Sequence, residues 1–331
     1  MKRCICTIIS LFAIVSLGVA IPFAAYAQPV TLKFNSVKAA TDPLYTTWED
    51  YAKECVARSG GTLNIEMYAS EALGSASDVL SMIGQGAPML VDCDTSFIAE
   101  YVPDWNLFMY PYLIQKPSDF YYLLESDFGK ELQKRTEEKG LKLMAAAFFG
   151  TRNLISSKPV KSREDTAKMK IRVVNTKMYN EIAGVLGGNP TNVPWSETYM
   201  ALQQGVADAA EPGTALMETA KLYEPCKYIA LTEHVITFTT VVMSSEVFNS
   251  LPEQAQKAIE EMQATYVKNE MLKFTLDLEE KAKGRLTAQG VTLTAVDKAP
   301  FIKASELIIS KFPEFTPGAY DRVKTILAEN K

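Results

Sequence analysis

One histidine, His234, occurs in the 331 residues. A metal site built on two imidazoles is therefore excluded, and a Ser-His-Asp triad would have to use His234. Cysteine is scarce, five residues without a CxxC spacing, so the chain is not a disulfide scaffold. GxGxxG, GxxxxGK[ST], GxSxG and HExxH are all missing, which removes the usual signatures of dinucleotide, phosphate, serine-hydrolase and zinc-protease chemistry. No Asp/Glu pair stands out as an acid/base dyad. Cations are in deficit, 34 Lys+Arg against 39 Asp+Glu, which argues against nucleic acid as a partner because phosphate binding needs clustered positive charge. No apolar run after residue 27 is long enough to span a bilayer. What is present is ordinary: 47% hydrophobic, 22% charged and 10% aromatic residues. That composition excludes a disordered or collagen-like chain, and the length asks for two lobes rather than one core.

The first 27 residues read as an export leader. Lys2 and Arg3 precede an apolar stretch from Ile8 to Ala25, and Ala25-Tyr26-Ala27 places small residues before Gln28, the pattern of a cleaved secretory signal. A membrane anchor is the alternative, and Gly18 and Pro22 inside the stretch weigh against it. The remaining 304 residues carry a net charge of −7 and the cysteines Cys55, Cys93 and Cys226, of which at most two can pair.

The rest of the chain alternates strand and helix. Val30, Leu32 and Phe34 alternate with polar residues; Asp42-Pro43 opens a helix with Leu44, Trp48, Tyr51, Ala52 and Cys55 on one face. Gly60-Gly61 ends it before a second strand at Leu63–Met67. Further strands are expected at Met89–Val91, Leu141–Phe149, Asn153–Ser156, Lys170–Val174 and Val291–Ala295. This order gives an α/β class with two doubly wound lobes. Ser250-Leu251-Pro252-Glu253 reads as a capping box. From there to Gln289 the chain lacks Pro, and Val267, Met271, Phe274 and Leu278 form an apolar stripe. Asp277/Lys281 and Glu279/Lys283 read as exposed i,i+4 pairs. About 37 residues of helix span ~55 Å, enough to run along both lobes; two helices broken inside the span are the alternative.

Seven arginines follow the leader, and two sit in apolar strands. Arg152 follows Ala145–Phe149 and Gly150-Thr151; Arg172 lies within Met169–Val174. Guanidinium in such a strand needs an anion, because unpaired burial costs several kcal/mol. The anion is either a structural Asp or Glu or a ligand carboxylate gripped by the planar fork.

Gly150-Thr-Arg152-Asn, Lys170-Ile-Arg172-Val-Val-Asn175, Gly188-Asn-Pro190, Pro194-Trp195-Ser196-Glu197-Thr-Tyr199 and Gly205-Val-Ala-Asp208-Ala-Ala-Glu211 follow in this order. Together with Ser59-Gly60-Gly61, Ala72-Leu73-Gly74-Ser75 and Leu251-Pro252-Glu253, the set resembles the substrate-binding proteins of TRAP (tripartite ATP-independent periplasmic) transporters, DctP type, over 28–331. The resemblance implies a two-lobed periplasmic binding protein fold, each lobe a mixed sheet flanked by helices, with a long helix spanning both. It implies lobe closure on a small carboxylate and delivery to the TRAP membrane permease subunits, with no cofactor, no metal and no catalysis, by a periplasmic monomer. Lobe I would comprise 28–149 plus about 238–278, and lobe II 150–237 plus about 279–331. The family's principal carboxylate-binding arginine corresponds to Arg172, supported by Arg152; Asn175 and Trp195 match further cleft positions. Asp94 and Lys38 are weaker transfers on the first lobe.

One departure bears on the ligand. Many members place Asn-Pro after the Asp208-Ala-Ala-Glu211 segment, and this chain has Glu211-Pro212-Gly213. Pro212 offers neither an amide side chain nor a backbone N–H. With Trp195, Phe149 and Phe238 as expected walls, the ligand expected is a monocarboxylate with an apolar or aromatic body. An exported hydrolase using His234 and a sensory binding protein that signals to a receptor are the competing functions.

Overall fold

A computed structural model describes residues 28–330; the leader expected at 1–27 lies outside the described residues. In β1 (Val30–Asn35), Leu32 and Phe34 point into the core while Thr31 and Lys33 face solvent. Helix Pro43–Arg58 follows, capped by the Asp42 carboxylate, which accepts from the Leu44 N–H at 2.8 Å. It buries the expected face of Leu44, Trp48, Tyr51, Ala52 and Cys55 and returns the chain to β2 (Leu63–Tyr68), parallel to β1. The remaining strands are β3 (Met89–Asp94), β4 (Leu141–Ser156), β5 (Lys170–Val173), β6 (Asn189–Asn192), β7 (Ala209–Ala210), β8 (Tyr228–Ser244) and β9 (Thr292–Ala295).

All nine form one curled sheet in the order β2-β1-β3-β8-β4-β7-β5-β6, with β9 on β8. β4 and β8 are antiparallel along their whole lengths, from Leu141↔Ser244 to Ser156↔Tyr228. One end of the pair receives β3, at Asp94↔Thr239 through Leu90↔Met243; the other receives β7 and β9. The two crossing strands thus belong to both lobes. Gly150 does not end a strand, as the sequence suggests. It sits at a bulge between Phe148 and Gly150 with φ +117°, and β4 continues through it. A bulge absorbs the extra residue and increases local twist without breaking the ladder.

The long helix is continuous from Glu253 to Ala288, α-helical at both ends and π-helical over Gln263–Met271. It starts at Glu253 with Pro252 at the cap rather than in a box at Ser250, because Ser245–Ser250 is a separate short helix. Its first part packs Ala255, Ile259, Met262, Val267 and Met271 with Phe34, Trp48 and Met243. Near its end Leu286 packs with Ile155, Cys226 and Ile229. The expected stripe fails in the second half: Phe274 is exposed, and Thr275 and Glu279 take the buried face. Glu279 is not part of an exposed pair with Lys283. It is 8% exposed, and its carboxylate accepts the N–H groups of Thr151 (3.2 Å) and Ala215 (2.7 Å). The π-turns shift the phase of everything after them, which a strict 3.6-residue period does not anticipate. The last helix, Ala319–Glu329, docks against the segments Pro103–Met109 and Pro117–Glu125. Cys55, Cys93 and Cys226 are all free and buried.

A Cβ on Gly150 would meet Glu279 Oε1 at 2.7 Å. Gly150→Ala combines that clash with a backbone conformation costly for any L side chain, so stability is expected to fall by about 1–3 kcal/mol or more. Urea unfolding midpoints of variant and wild type check this; equal midpoints refute the tight crossing.

Candidate functional site

Between the lobes lies a cavity of ≈ 360 Å³. It is reached from β5, from the turn after β1, from β3 and from both crossing strands. In β5, Ile171 and Val173 enter the core, so period-2 alternation sends Arg172 to the opposite face, against the cavity. Its Nε donates to the Val193 carbonyl at 2.9 Å, and its Cζ lies 5.4 Å from the Trp195 ring centre. The side chain is 2% exposed, yet Nη2 is buried without any partner and no carboxylate lies within ion-pair distance among the described residues. Burial is the main force pulling the Arg172 pKa down to about 10; Arg152 adds to it and Glu211 opposes it.

Arg152 has the structural anion that Arg172 lacks. Its Nε and Nη2 form a bidentate fork on Glu211 at 2.7 and 2.6 Å. The guanidinium lies over the Tyr179 ring, 4.7 Å from its centre. Burial disfavours its charge, but the Glu211 carboxylate, together with Tyr179 and Asp94, holds Arg152 firmly protonated. Burial likewise raises Glu211, and Arg152 together with the hydrogen bonds from His234 and Arg152 overcomes that and keeps the carboxyl below its ordinary range. Glu211 also receives His234 Nε2 at 3.1 Å, while Nδ1 meets the Thr232 hydroxyl at 2.9 Å. Burial lowers the His234 pKa despite Glu211. The neutral tautomer with Nε2–H donating and Nδ1 accepting satisfies both contacts, an assignment made from the geometry.

Eight of the ten residues singled out from sequence line the cavity: Arg172, Arg152, Asn175, Trp195, Phe149, Asp94, Lys38 and Pro212. Glu211 and Phe238 do not. Glu211 is fully buried behind Arg152 and is occupied by it. Phe238 is 1% exposed, stacked on Phe120 with centres 3.6 Å apart and edge-on to Tyr121 and Phe148. It occupies the core face of β8, and its neighbours Thr237 and Thr239 take the cavity face. His234 does not line the cavity either. Among the described residues its ring nitrogens hydrogen-bond to Thr232 and Glu211.

On the first lobe Lys38 is buried, ion-paired with Asp92, with its ammonium 4.3 Å from the Phe149 ring centre. Asp94 caps the short helix Thr95–Ile98 and accepts from the Ser96 N–H and hydroxyl at 2.9 and 2.5 Å. Its other oxygen accepts the Tyr179 hydroxyl at 2.8 Å, a bond across the cleft. Two more contacts cross it: Ser196 to Glu71 at 2.9 Å and Thr219 to Asp42 at 3.2 Å. Glu71, Tyr179, Thr237 and Thr239 were not anticipated. The threonines are alternate residues of the strand Tyr228–Ser244, a period-2 pattern that the sequence carries. Glu71 stands in a turn where it and Ser70 both have positive φ, 57° and 56°, a conformation that carries no sequence pattern in Ser-Glu.

Comparison with known proteins agrees with this geometry. A family described as bacterial extracellular solute-binding protein, family 7 (DctP), matches residues 34–314. The 2,3-diketo-L-gulonate-binding periplasmic protein YiaO of Escherichia coli is 26% identical over 89% of this chain and 91% of its own length. Two crystal structures of TRAP periplasmic solute-binding proteins superpose closely. That from Fusobacterium nucleatum, with bound sn-glycerol-3-phosphate, has a TM-score of 0.87 at 29% identity over 90% of this chain and 97% of that one. That from Ochrobacterium anthropi, with bound L-fuconate, has a TM-score of 0.86 at 30% identity over 90% and 99%.

The depressed His234 pKa has a measurable consequence. Below the ordinary histidine value of about 6.5 the unfolded chain binds a proton there that the folded chain does not, so this group's contribution falls as pH drops from 7 to 5. His234→Gln, which can keep a donor toward Glu211, is expected to lose less stability over that interval than wild type. Urea midpoints of both proteins at pH 7 and pH 5 test it; parallel losses refute it.

Proposed function

Because this chain belongs to the bacterial extracellular solute-binding protein family 7, a family of binding proteins rather than enzymes, we propose that it captures a small organic acid through its carboxylate on Arg172. The observation that carries this reading is the Arg172 Nη2, buried at the cavity with no partner. A buried guanidinium without an anion costs several kcal/mol, and a ligand carboxylate accepting from its fork removes that cost while fixing orientation. Arg152 is occupied by Glu211 and acts on the ligand as a nearby fixed charge that positions the β4 wall. Trp195 and Phe149 are flat apolar surfaces for the ligand body, Asn175 is a polar contact beside Arg172, and Pro212 is an apolar lining residue without a donor. Asp94 and Lys38 close the site from the first lobe, the former through Tyr179.

The lobes divide at the crossing strands, 28–149 plus about 238–278 against 150–237 plus about 279–331, except that the last helix, Ala319–Glu329, packs on the first lobe. Closure brings Asp94, Glu71 and Asp42 onto Tyr179, Ser196 and Thr219. The loaded, closed protein is a monomer in the periplasm, exported by its leader, and delivers the acid to the membrane permease of a TRAP system. The sugar acid in the Ochrobacterium structure is the precedent for a carboxylate. The apolar walls around Arg172 turn this cavity toward a body less hydroxylated than a sugar.

A thermal-shift screen of organic acids identifies binders, since a ligand at 100 times its Kd stabilises by about 2.7 kcal/mol. For any acid found, Arg172→Ala is expected to weaken binding at least 100-fold and Arg172→Lys about tenfold, because an ammonium keeps the charge and loses the fork. Calorimetric titration reads both; unchanged affinity in Arg172→Ala makes Arg172 structural.

A further inference from the structure

The charge around the cavity constrains the ligand beyond its carboxylate. The cations that line it are Arg172, Arg152 and Lys38. The acids that line it or pair with those cations are Glu71, Asp94, Glu211 and Asp92. His234 and Tyr179 are neutral, the first by burial and the second because burial pushes its phenol well above its usual value. Counting the buried partners Glu211 and Asp92 behind the lining, three positive groups meet four negative ones. A simple monoanion would make the imbalance worse inside a site that excludes much of its water, where like charges repel strongly.

The acids are not equally committed. Glu211 and Asp92 are ion-paired with Arg152 and Lys38. Asp94 already accepts three hydrogen bonds, two from Ser96 and one from Tyr179. Glu71 accepts the Ser196 hydroxyl, has the Ser196 amide beside it, and among the described residues has no cation within ion-pair distance. A carboxylate offers about four acceptor sites, so Glu71 retains capacity. It lines the same cavity as Arg172, half-buried, from the opposite lobe. Burial is the main cause holding its carboxyl above the ordinary range, and the Ser196 hydrogen bonds and the more distant Arg172 charge offset it only in part.

We propose that the ligand is a zwitterion, an α-amino acid with an apolar side chain, whose carboxylate meets Arg172 and whose ammonium meets Glu71. The assignment rests on the Arg172 reading and adds to it the class of acid. An ammonium brings the missing positive charge, and Trp195, Phe149, Phe97, Val37 and Leu216 surround the side chain. A 2-oxo or 2-hydroxy acid of the same shape would have to enter with a proton taken up by Glu71 or Asp94, so its affinity would fall as pH rises.

Two matched trios separate the possibilities: L-phenylalanine, 3-phenyllactate and phenylpyruvate, and L-leucine with its 2-hydroxy and 2-oxo counterparts. L-Fuconate serves as a sugar-acid comparison. Titration calorimetry at pH 7.5, in two buffers of different ionisation enthalpy, reads affinity and proton uptake together. An amino acid is expected to bind at least tenfold tighter than its counterparts with no net proton uptake. Glu71→Gln is expected to weaken that amino acid at least tenfold while leaving the oxo acids unweakened or tighter, because the repelling carboxylate is gone. An oxo or hydroxy acid that binds tighter than its amino acid, or amino-acid affinity unchanged in Glu71→Gln, overturns the zwitterion. Binding of L-fuconate alone, or of nothing in the panel, overturns it as well. If the acid that does bind is lost in Arg172→Ala, the carboxylate reading survives that failure. If Arg172→Ala leaves it untouched, both readings fall.

Discussion

The antiparallel pairing of β4 with β8 is the constraint on which the rest depends. Two strands of 16 and 17 residues run side by side through both lobes, so each lobe is built on the same ladder. The first lobe hangs on it through β3, the second through β7 and β9. Such a pair bends by redistributing twist at its bulges rather than by breaking hydrogen bonds. The bulge at Gly150 lies where the Glu279 carboxylate, arriving from the long helix, caps the Thr151 N–H. One glycine and one buried acid thereby join the crossing, the long helix and the helix that begins at Thr214.

The two arginines of the site show how similar sequence settings acquire different roles. Both lie in apolar strands, and both are almost fully buried. Arg152 meets Glu211 in a two-point fork, and Glu211 is further held by His234, so that network is complete within the protein. Arg172 makes one bond to a carbonyl and keeps an unpartnered nitrogen. A complete buried ion network rigidifies its surroundings, whereas an incomplete one is unfavourable until something supplies the missing partner. The contrast separates a structural charge from a charge available to a ligand, although the local sequence around each is much alike.

Much of the fold could be read directly. Leu32 and Phe34 alternate as a strand must, Asp42-Pro43 opens a helix for the reasons known for that pair, and the Pro-free stretch after Glu253 is one long helix. Errors arose where long-range structure intervened. Gly150 resembles a strand end and is a bulge within a strand. Phe274 continues a helical stripe, but the π-turns before it rotate it to solvent and bring Glu279 inward. Phe238 is an aromatic next to cavity residues in sequence, but one residue of β8 register exchanges core for cavity and puts Thr237 and Thr239 at the cleft instead. Glu211 follows the cleft motif in sequence but stands one layer behind the cavity, as the partner of Arg152.

By itself the sequence determined the α/β class, the absence of two-histidine metal chemistry, the family and the two arginines set in apolar strands, since these depend on residue type, local periodicity and ordered spacing. Only the tertiary structure decided which arginine lacks a counterion, which face of β8 meets the cavity and which acid keeps free acceptor capacity. Those are properties of pairs of groups dozens of residues apart, such as Arg152 and Glu211 or Glu71 and Ser196. Electrostatic pairing and burial are set by distance in space, which local sequence pattern does not encode.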